Sequence, residues 1–211
     1  MPKWQAKYRI KSIGAFMDCK LSDFVELRAG HSFRGSVPAS VDGNAYALQM
    51  RDVSPDAGVA WGGLVRTELD TRKSPDWLQR GDVIFVARGM RNYALCMDEV
   101  SKPTVCSQYF FLLRVKSSPP SPPLMPEFLA WQINRAPAQC YLIKNAEGSD
   151  QLSIRRGVLE DLPLVVPPIE QQQRIVALSN VARRERQLLE QLILNGEKQL
   201  DALAYELHAA K

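Results

Sequence analysis

A mixed α/β (α+β) fold in two parts is what this sequence predicts: a β-rich domain over residues 1–165, then a long C-terminal coiled-coil helix over 166–211. Three observations predict it. Short apolar or aromatic runs bounded by Gly, Pro and Asp recur before residue 165, which is the pattern of strands and turns. No proline follows Pro168, and the residues beyond it are mostly Glu, Gln, Arg, Leu and Ala, all good helix formers. Apolar residues make up 45% of the chain, enough to pack a core.

The first nineteen residues interleave Trp4, Tyr8 and Ile10 with Lys3, Lys7, Arg9 and Lys11. Such interleaving suits a nucleic-acid contact, and equally a strand with one solvated face. In Leu21–Ser36, Ser22 or Asp23 is expected to cap a helical turn over Phe24-Val25-Glu26-Leu27, broken by Gly30. His31 and Ser32 read as surface residues rather than a catalytic pair. Asn44–Leu69 reads as strand, loop, strand. Tyr46, Leu48 and Met50 alternate ahead of Arg51. Ser54-Pro55-Asp56-Ala57-Gly58 is turn-rich, and Trp61-Gly62-Gly63-Leu64-Val65 leads into the strand of Arg66.

Gly81-Asp82 is a turn, and Val83–Val86 a buried strand by its continuous apolar run. The segment Ala87-Arg88-Gly89-Met90-Arg91-Asn92-Tyr93 follows directly and is the best candidate for DNA contact. Arginine can make two hydrogen bonds to guanine, asparagine two to adenine, and tyrosine can reach phosphate or stack. Gly89 permits close backbone approach. The alternative is a hairpin loop with solvated charges. Val105–Val115 is expected as one central strand. Ser117–Pro126, with five prolines, reads as a stiff spacer. Glu127–Asn134 reads as a short helix. Gln151–Ile154 with Arg155-Arg156-Gly157 reads as a strand and turn, its arginines available to phosphate or simply solvated.

Pro167 and Pro168 stop any strand and suit a first helical turn, and Glu170 sits favourably near that helix's N-terminus. Ile175, Leu178, Ala182, Leu189 and Leu192, then Ile193, Leu200, Leu203, Ala204 and Leu207, form an apolar stripe. Glu185 interrupts it, and Asn195-Gly196 is a weak point. A helix from Ile169 to Ala209 is about 60 Å long at ~1.5 Å per residue, more than a small domain's width. Its stripe therefore either lies across its own domain or, as we expect, meets another helix in a coiled coil.

Two segments resemble the target recognition domains of specificity subunits of type I restriction-modification systems. One is Leu78-Gln79-Arg80-Gly81-Asp82-Val83-Ile84, of the form L-x-x-G-D followed by two apolar residues. The other is Leu159-Glu160-Asp161-Leu162-Pro163-Leu164-Val165-Val166-Pro167-Pro168-Ile169-Glu170-Gln171-Gln172, where such a domain passes into its long helix. The resemblance implies a non-catalytic subunit that recognises double-stranded DNA while methyltransferase subunits, and a restriction subunit where present, dock around the helices. It makes Arg51, Arg66, Arg88, Arg91, Asn92, Tyr93, Arg155 and Arg156 the expected DNA contacts. Many family members carry two recognition domains, each followed by a helix; this chain shows one, and no internal repeat. One copy then reads half of a bipartite site. A homodimer joined through its helices would read an interrupted palindrome; the second reader could instead lie on another chain, or a second domain could have been truncated away.

Other classes are disfavoured. There is no Walker lysine loop, GxGxxG or GxSxG. The Pro167-Pro168 pair lacks the Asn or Asp and the aromatic of an adenine methyltransferase motif. Asp76 and Asp82 have no E-x-K partner downstream. Four cysteines without a CxxC pair, and two histidines, predict no metal or cofactor and reduced thiols. Charges in 166–211 cancel, so the net +4 belongs to residues 1–165, a mild fit to a polyanion. No leader-like segment or ~18-residue apolar run occurs, which predicts a cytoplasmic protein without a membrane span. The competing reading is a coiled-coil adaptor that binds protein and not DNA.

Overall fold

The structure is a computed structural model, and it describes residues 19–69, 74–117, 123–148 and 152–209. The strand expected within residues 1–18, and residues 118–122 of the proline-rich spacer, lie outside them. In chain order the elements are β1 (Cys19–Lys20), α1 (Leu21–Phe24), β2 (Val25–Ala29), β3 (Ala45–Leu48), β4 (Val53–Ser54), β5 (Gly58–Val59), β6 (Val65–Thr67), β7 (Val83–Val86), β8 (Arg88–Gly89), β9 (Ala94–Cys96), β10 (Thr104–Cys106), β11 (Phe110–Val115), α2 (Pro126–Ile133), α3 (Ala136–Asn145), β12 (Leu152–Ser153), α4 (Arg156–Glu160), β13 (Pro163–Leu164) and α5 (Ile169–Ala209). The chain divides into two units between Gln173 and Arg174.

The first unit is built on a four-stranded antiparallel sheet, β2-β11-β7-β9, and a three-stranded one, β10-β3-β6. β7 is buried at every residue, as its sequence requires. β3 is covered on both faces. Tyr46 and Leu48 pack with Ile84, Val86 and Leu112. Ala45 and Ala47 pack with Phe33, Leu69 and Val105. The alternation Tyr46-Leu48 therefore marks one core and the alanines between them mark the other.

The single strand expected over Val105–Val115 is two. β10 pairs parallel with β3, whereas β11 is central in the other sheet. The turn Ser107-Gln108-Tyr109 separates them, closed by Phe110 N donating to Ser107 O at 3.1 Å. Gly30 makes this crossing possible, because a Cβ there would collide with the Ser107 carbonyl. The helical turn near Asp23 also starts earlier than expected. α1 ends at Phe24 and Val25–Ala29 is strand; Asp23 caps it from inside, its carboxylate accepting from Lys20 N at 2.8 Å.

The Gly81-Asp82 turn has φ +85° at Gly81. Asp82 is 2% exposed and grips the Arg114 guanidinium from β11 with both oxygens, each at 2.7 Å. It also accepts from Gln79 N at 2.7 Å. Arg114 in turn donates to Trp77 O at 3.0 Å. This fork ties the turn before β7 to the middle of the sheet.

The sheet edge at β9 is closed by α2. Asn134 acts as a short strand: its Oδ1 accepts from Ala94 N at 2.9 Å, and its Nδ2 donates to Ala94 O at 2.8 Å. The helix α3, opened by Ala136-Pro137, was not anticipated from the sequence. Arg156-Gly157 was expected to turn and instead begins α4.

α5 runs unbroken over the expected Ile169–Ala209, through Asn195-Gly196. Its first turn is plugged into the first unit by Gln172, which is fully buried. Gln172 Oε1 accepts from Met125 N at 2.8 Å, and Nε2 donates to Pro123 O at 2.8 Å and Pro167 O at 2.7 Å. Within the second unit, Leu178, Leu189, Leu192, Ile193, Leu200, Leu203 and Leu207 are all exposed. Leu178, Leu189 and Leu200 recur every eleven residues, as do Ala182, Ile193 and Ala204. An eleven-residue period is ~3.67 residues per turn, so the stripe stays on one face of a nearly straight helix. No helix among the described residues is long and apolar enough to cross a membrane.

Candidate nucleic-acid interface

β7 and β9 form a hairpin whose connection, Ala87–Tyr93, departs from the main sheet. Within it, β8 pairs antiparallel with β12, Gly89 opposite Leu152 and Arg88 opposite Ser153. Ile154 N donates to Ala87 O at 2.9 Å and extends this seam. Gly89 has φ +150°, and a Cβ there would lie 2.8 Å from Met50 Cε. Glycine therefore lets Met50 cross directly over the loop. Tyr93 completes the junction, its hydroxyl donating to Val53 O at 3.3 Å. Segments 50–53, 87–93 and 152–155, far apart in sequence, thus meet at one place.

The expected contact residues divide by what their polar groups already do. Arg88 and Arg91 are exposed, and neither has an ion pair or side-chain hydrogen bond among the described residues. Met90 between them is 87% exposed. Arg51 is 65% exposed and only loosely paired, 3.8 Å from Asp52. Asp52 itself is turned inward, accepting from Gln49 N at 2.9 Å, which leaves the neighbouring surface basic. Arg155 is 72% exposed with its Nε 2.7 Å from Glu147. The meeting segments therefore carry Arg51, Arg88, Arg91 and Arg155 together.

The other four serve the fold. Asn92 is buried and its Nδ2 donates to Val86 O at 2.9 Å. In this structure its amide closes the loop. Tyr93 is half-buried, and burial raises the pKa of its phenol. Arg66 braces the loop before β3, donating from Nε to Gly43 O at 2.8 Å and from a terminal nitrogen to Val41 O at 2.6 Å. Arg156 pairs with Glu160 one turn along α4 at 2.8 Å. Arg66 and Arg156 remain exposed at their outer edges.

Sequence reasoning missed Arg34 and Tyr109. Ala87 N donates to Tyr109 O at 2.9 Å, so the turn between β10 and β11 borders the arginine loop. Tyr109 is exposed there. The 31–36 loop borders the same turn, with His31 N donating to Cys106 O at 2.7 Å and Phe33 N to Gln108 Oε1 at 2.9 Å, and it carries exposed Arg34. The available signal was a large aromatic in a turn before a strand. Gln49 Nε2 and Ser107 Oγ are buried without a partner among the described residues, and Ser107 N donates to Leu48 O at 3.0 Å beside Gln49. Chemically, the arrangement offers guanidinium forks and a phenol on a rigid edge. Those groups suit phosphate oxygens and guanine edges.

No protein-family profile matches the sequence, and no curated protein sequence does. Solved structures do. A type I restriction-modification system S subunit from M. genitalium matches with a TM-score of 0.54 at 15% identity, over 82% of this chain and 40% of that one. The HsdS subunit from Thermoanaerobacter tengcongensis gives 0.52 at 15% identity, over 84% of this chain and 40% of that one. A chain from a structure concerned with complex assembly and conformational transition of the type I R-M system gives 0.61 at 17% identity, over 92% of this chain and 45% of that one. The chain therefore has the fold of these S subunits, a mixed α/β domain with a long C-terminal helix, and spans less than half of their length.

Proposed function

We propose that this chain is the sequence-specific DNA recognition subunit of a type I restriction-modification complex. It reads one half of a bipartite site and directs methyltransferase and restriction subunits to it, without catalysing a reaction itself. The observation that carries the reading is the loop of Arg88 and Arg91. Its backbone is fixed by β12 and by Met50, while its two guanidinium groups are unpaired among the described residues. A rigid loop with unspent donors suits direct readout, because little conformational freedom is lost on binding. In this reading Arg51, Arg155, Arg34 and Tyr109 flank it on the duplex.

The helix α5 supplies assembly. Its N-terminal half, 174–192, holds four arginines and two glutamates; its C-terminal half, 193–209, holds three acidic residues and one lysine. An antiparallel pair of copies sets the basic half of one helix on the acidic half of the other, whereas a parallel pair sets like on like. Charge pattern and exposed stripe together favour a two-fold dimer of this chain. Its target would then be an interrupted palindrome.

The exposed stripe alone would also suit a protein-binding adaptor. Titration of the full chain with duplex DNA carrying its site, across a range of salt, separates the two. The proposal expects affinity to fall steeply with salt. The double variant Arg88→Ala, Arg91→Ala is expected to bind at least about ten-fold more weakly, with a salt slope shallower by about two, at unchanged oligomeric state. Equal affinity of variant and wild type would overturn the assignment of the loop. Salt-independent or absent binding would favour the adaptor.

A further inference from the structure

A second cluster lies at the other end of β9. Met97 continues the strand pairing, its N donating to Asp82 O and its O accepting from Gly81 N, both at 2.8 Å. In an extended chain, residues two apart project to the same side, so Cys96 and Asp98 point together. α2 begins with Pro126, so Glu127 stands in its first turn, and Asn134 holds that helix on β9. The thiol of Cys96 and one carboxylate oxygen each from Asp98 and Glu127 all lie within 4.8 Å of one another.

We propose that Cys96, Asp98 and Glu127 form a site for one divalent cation of the zinc class. One observation besides the convergence supports it: among the described residues, no basic group answers these acids. Neither Asp98 nor Glu127 makes an ion pair or side-chain hydrogen bond among the described residues, although each approaches two other potential anions. Sulfur together with carboxylate oxygen suits zinc and cadmium over magnesium or calcium. Three protein ligands leave a fourth position for water.

On binding, the Sγ–H bond breaks, its proton leaves to solvent, and an Sγ–metal bond forms; no electron is transferred. The thiolate and two carboxylates then outweigh the dication by one negative charge. Met125, two residues before Glu127, is held by Gln172 in the first turn of α5. The cation would therefore clamp β9 to the start of α2, where that anchor is made. This inference is independent of the DNA-reading proposal.

The test uses the full chain, stripped with EDTA and titrated with cadmium. We expect a saturable sulfur-to-cadmium charge-transfer band at one equivalent, displaced by zinc and not by magnesium. Cys96→Ser removes it, while Cys140→Ser, at an exposed thiol, leaves it intact. Glu127→Gln, an exposed change that spares the fold, weakens binding at least about ten-fold. Melting in EDTA checks that each variant is folded. The proposal is overturned if no band saturates at micromolar cadmium, if the band survives Cys96→Ser, or if Glu127→Gln binds as tightly as the wild type.

Discussion

An Arg114→Ala variant will lose about 3–5 kcal/mol of stability in the first unit, the range for removing one member of a buried ion pair. The asymmetry of the pair sets the size. Arg114 is partly exposed and would tolerate losing its partner, but Asp82 is 2% exposed. Without the guanidinium, its carboxylate keeps the Gln79 amide at 2.7 Å and loses both charged bonds. Trp77 O loses its donor as well. Arg114→Lys keeps a charge but not the two-pronged geometry and should fall between the two. Urea denaturation, with the slope unchanged, measures the difference. A loss below about 1 kcal/mol would show that the fork contributes no more than a surface pair.

The double variant Leu192→Asp, Leu200→Asp should abolish pairing of the chain while leaving the first unit as stable as before. Both leucines are exposed, at 67% and 69%, so no packing within the chain is lost. In a two-fold dimer each change counts twice, and burying a leucine contributes roughly 1.5–3 kcal/mol. Four leucines represent about 6 kcal/mol at the least, more than ten-thousand-fold in the dissociation constant. Light scattering should therefore report a dimer for the wild type and a monomer for the variant. An unchanged dimer would place the contact elsewhere than the stripe. A truncation made for the same purpose should retain Gln172, because its side chain satisfies three backbone groups of the first unit.

What the sequence made legible was local. Two prolines and a run of helix formers marked the start and course of α5, and four consecutive apolar residues marked β7. The features that build the candidate site are not local. β8 and β12 lie more than sixty residues apart and are two residues long each, too short for any periodicity. Asn92 has the right chemistry for a base contact, and nothing in its neighbours' identities says that its amide turns back to Val86. Tyr109 was read as strand because Ser107-Gln108 carries no glycine or proline to mark a turn. The cluster at Cys96 was invisible for the same reason: Glu127 joins the pair only once α2 has folded over the sheet edge.

Local signals also explain where boundaries moved. Asp23 is a good capping residue, and it caps, but from the third helical position rather than from outside. Pro137 occupies the first turn of α3, where a missing N–H costs nothing.

We propose that two copies of one DNA reader, spaced by their helices, recognise two inverted half-sites. Selection from random duplex DNA with the purified full chain tests it most directly. The expected result is enrichment of one short motif in two inverted copies separated by a fixed gap, with enrichment lost in the Arg88→Ala, Arg91→Ala variant. A single uninterrupted motif, or no enriched motif at all, would contradict it.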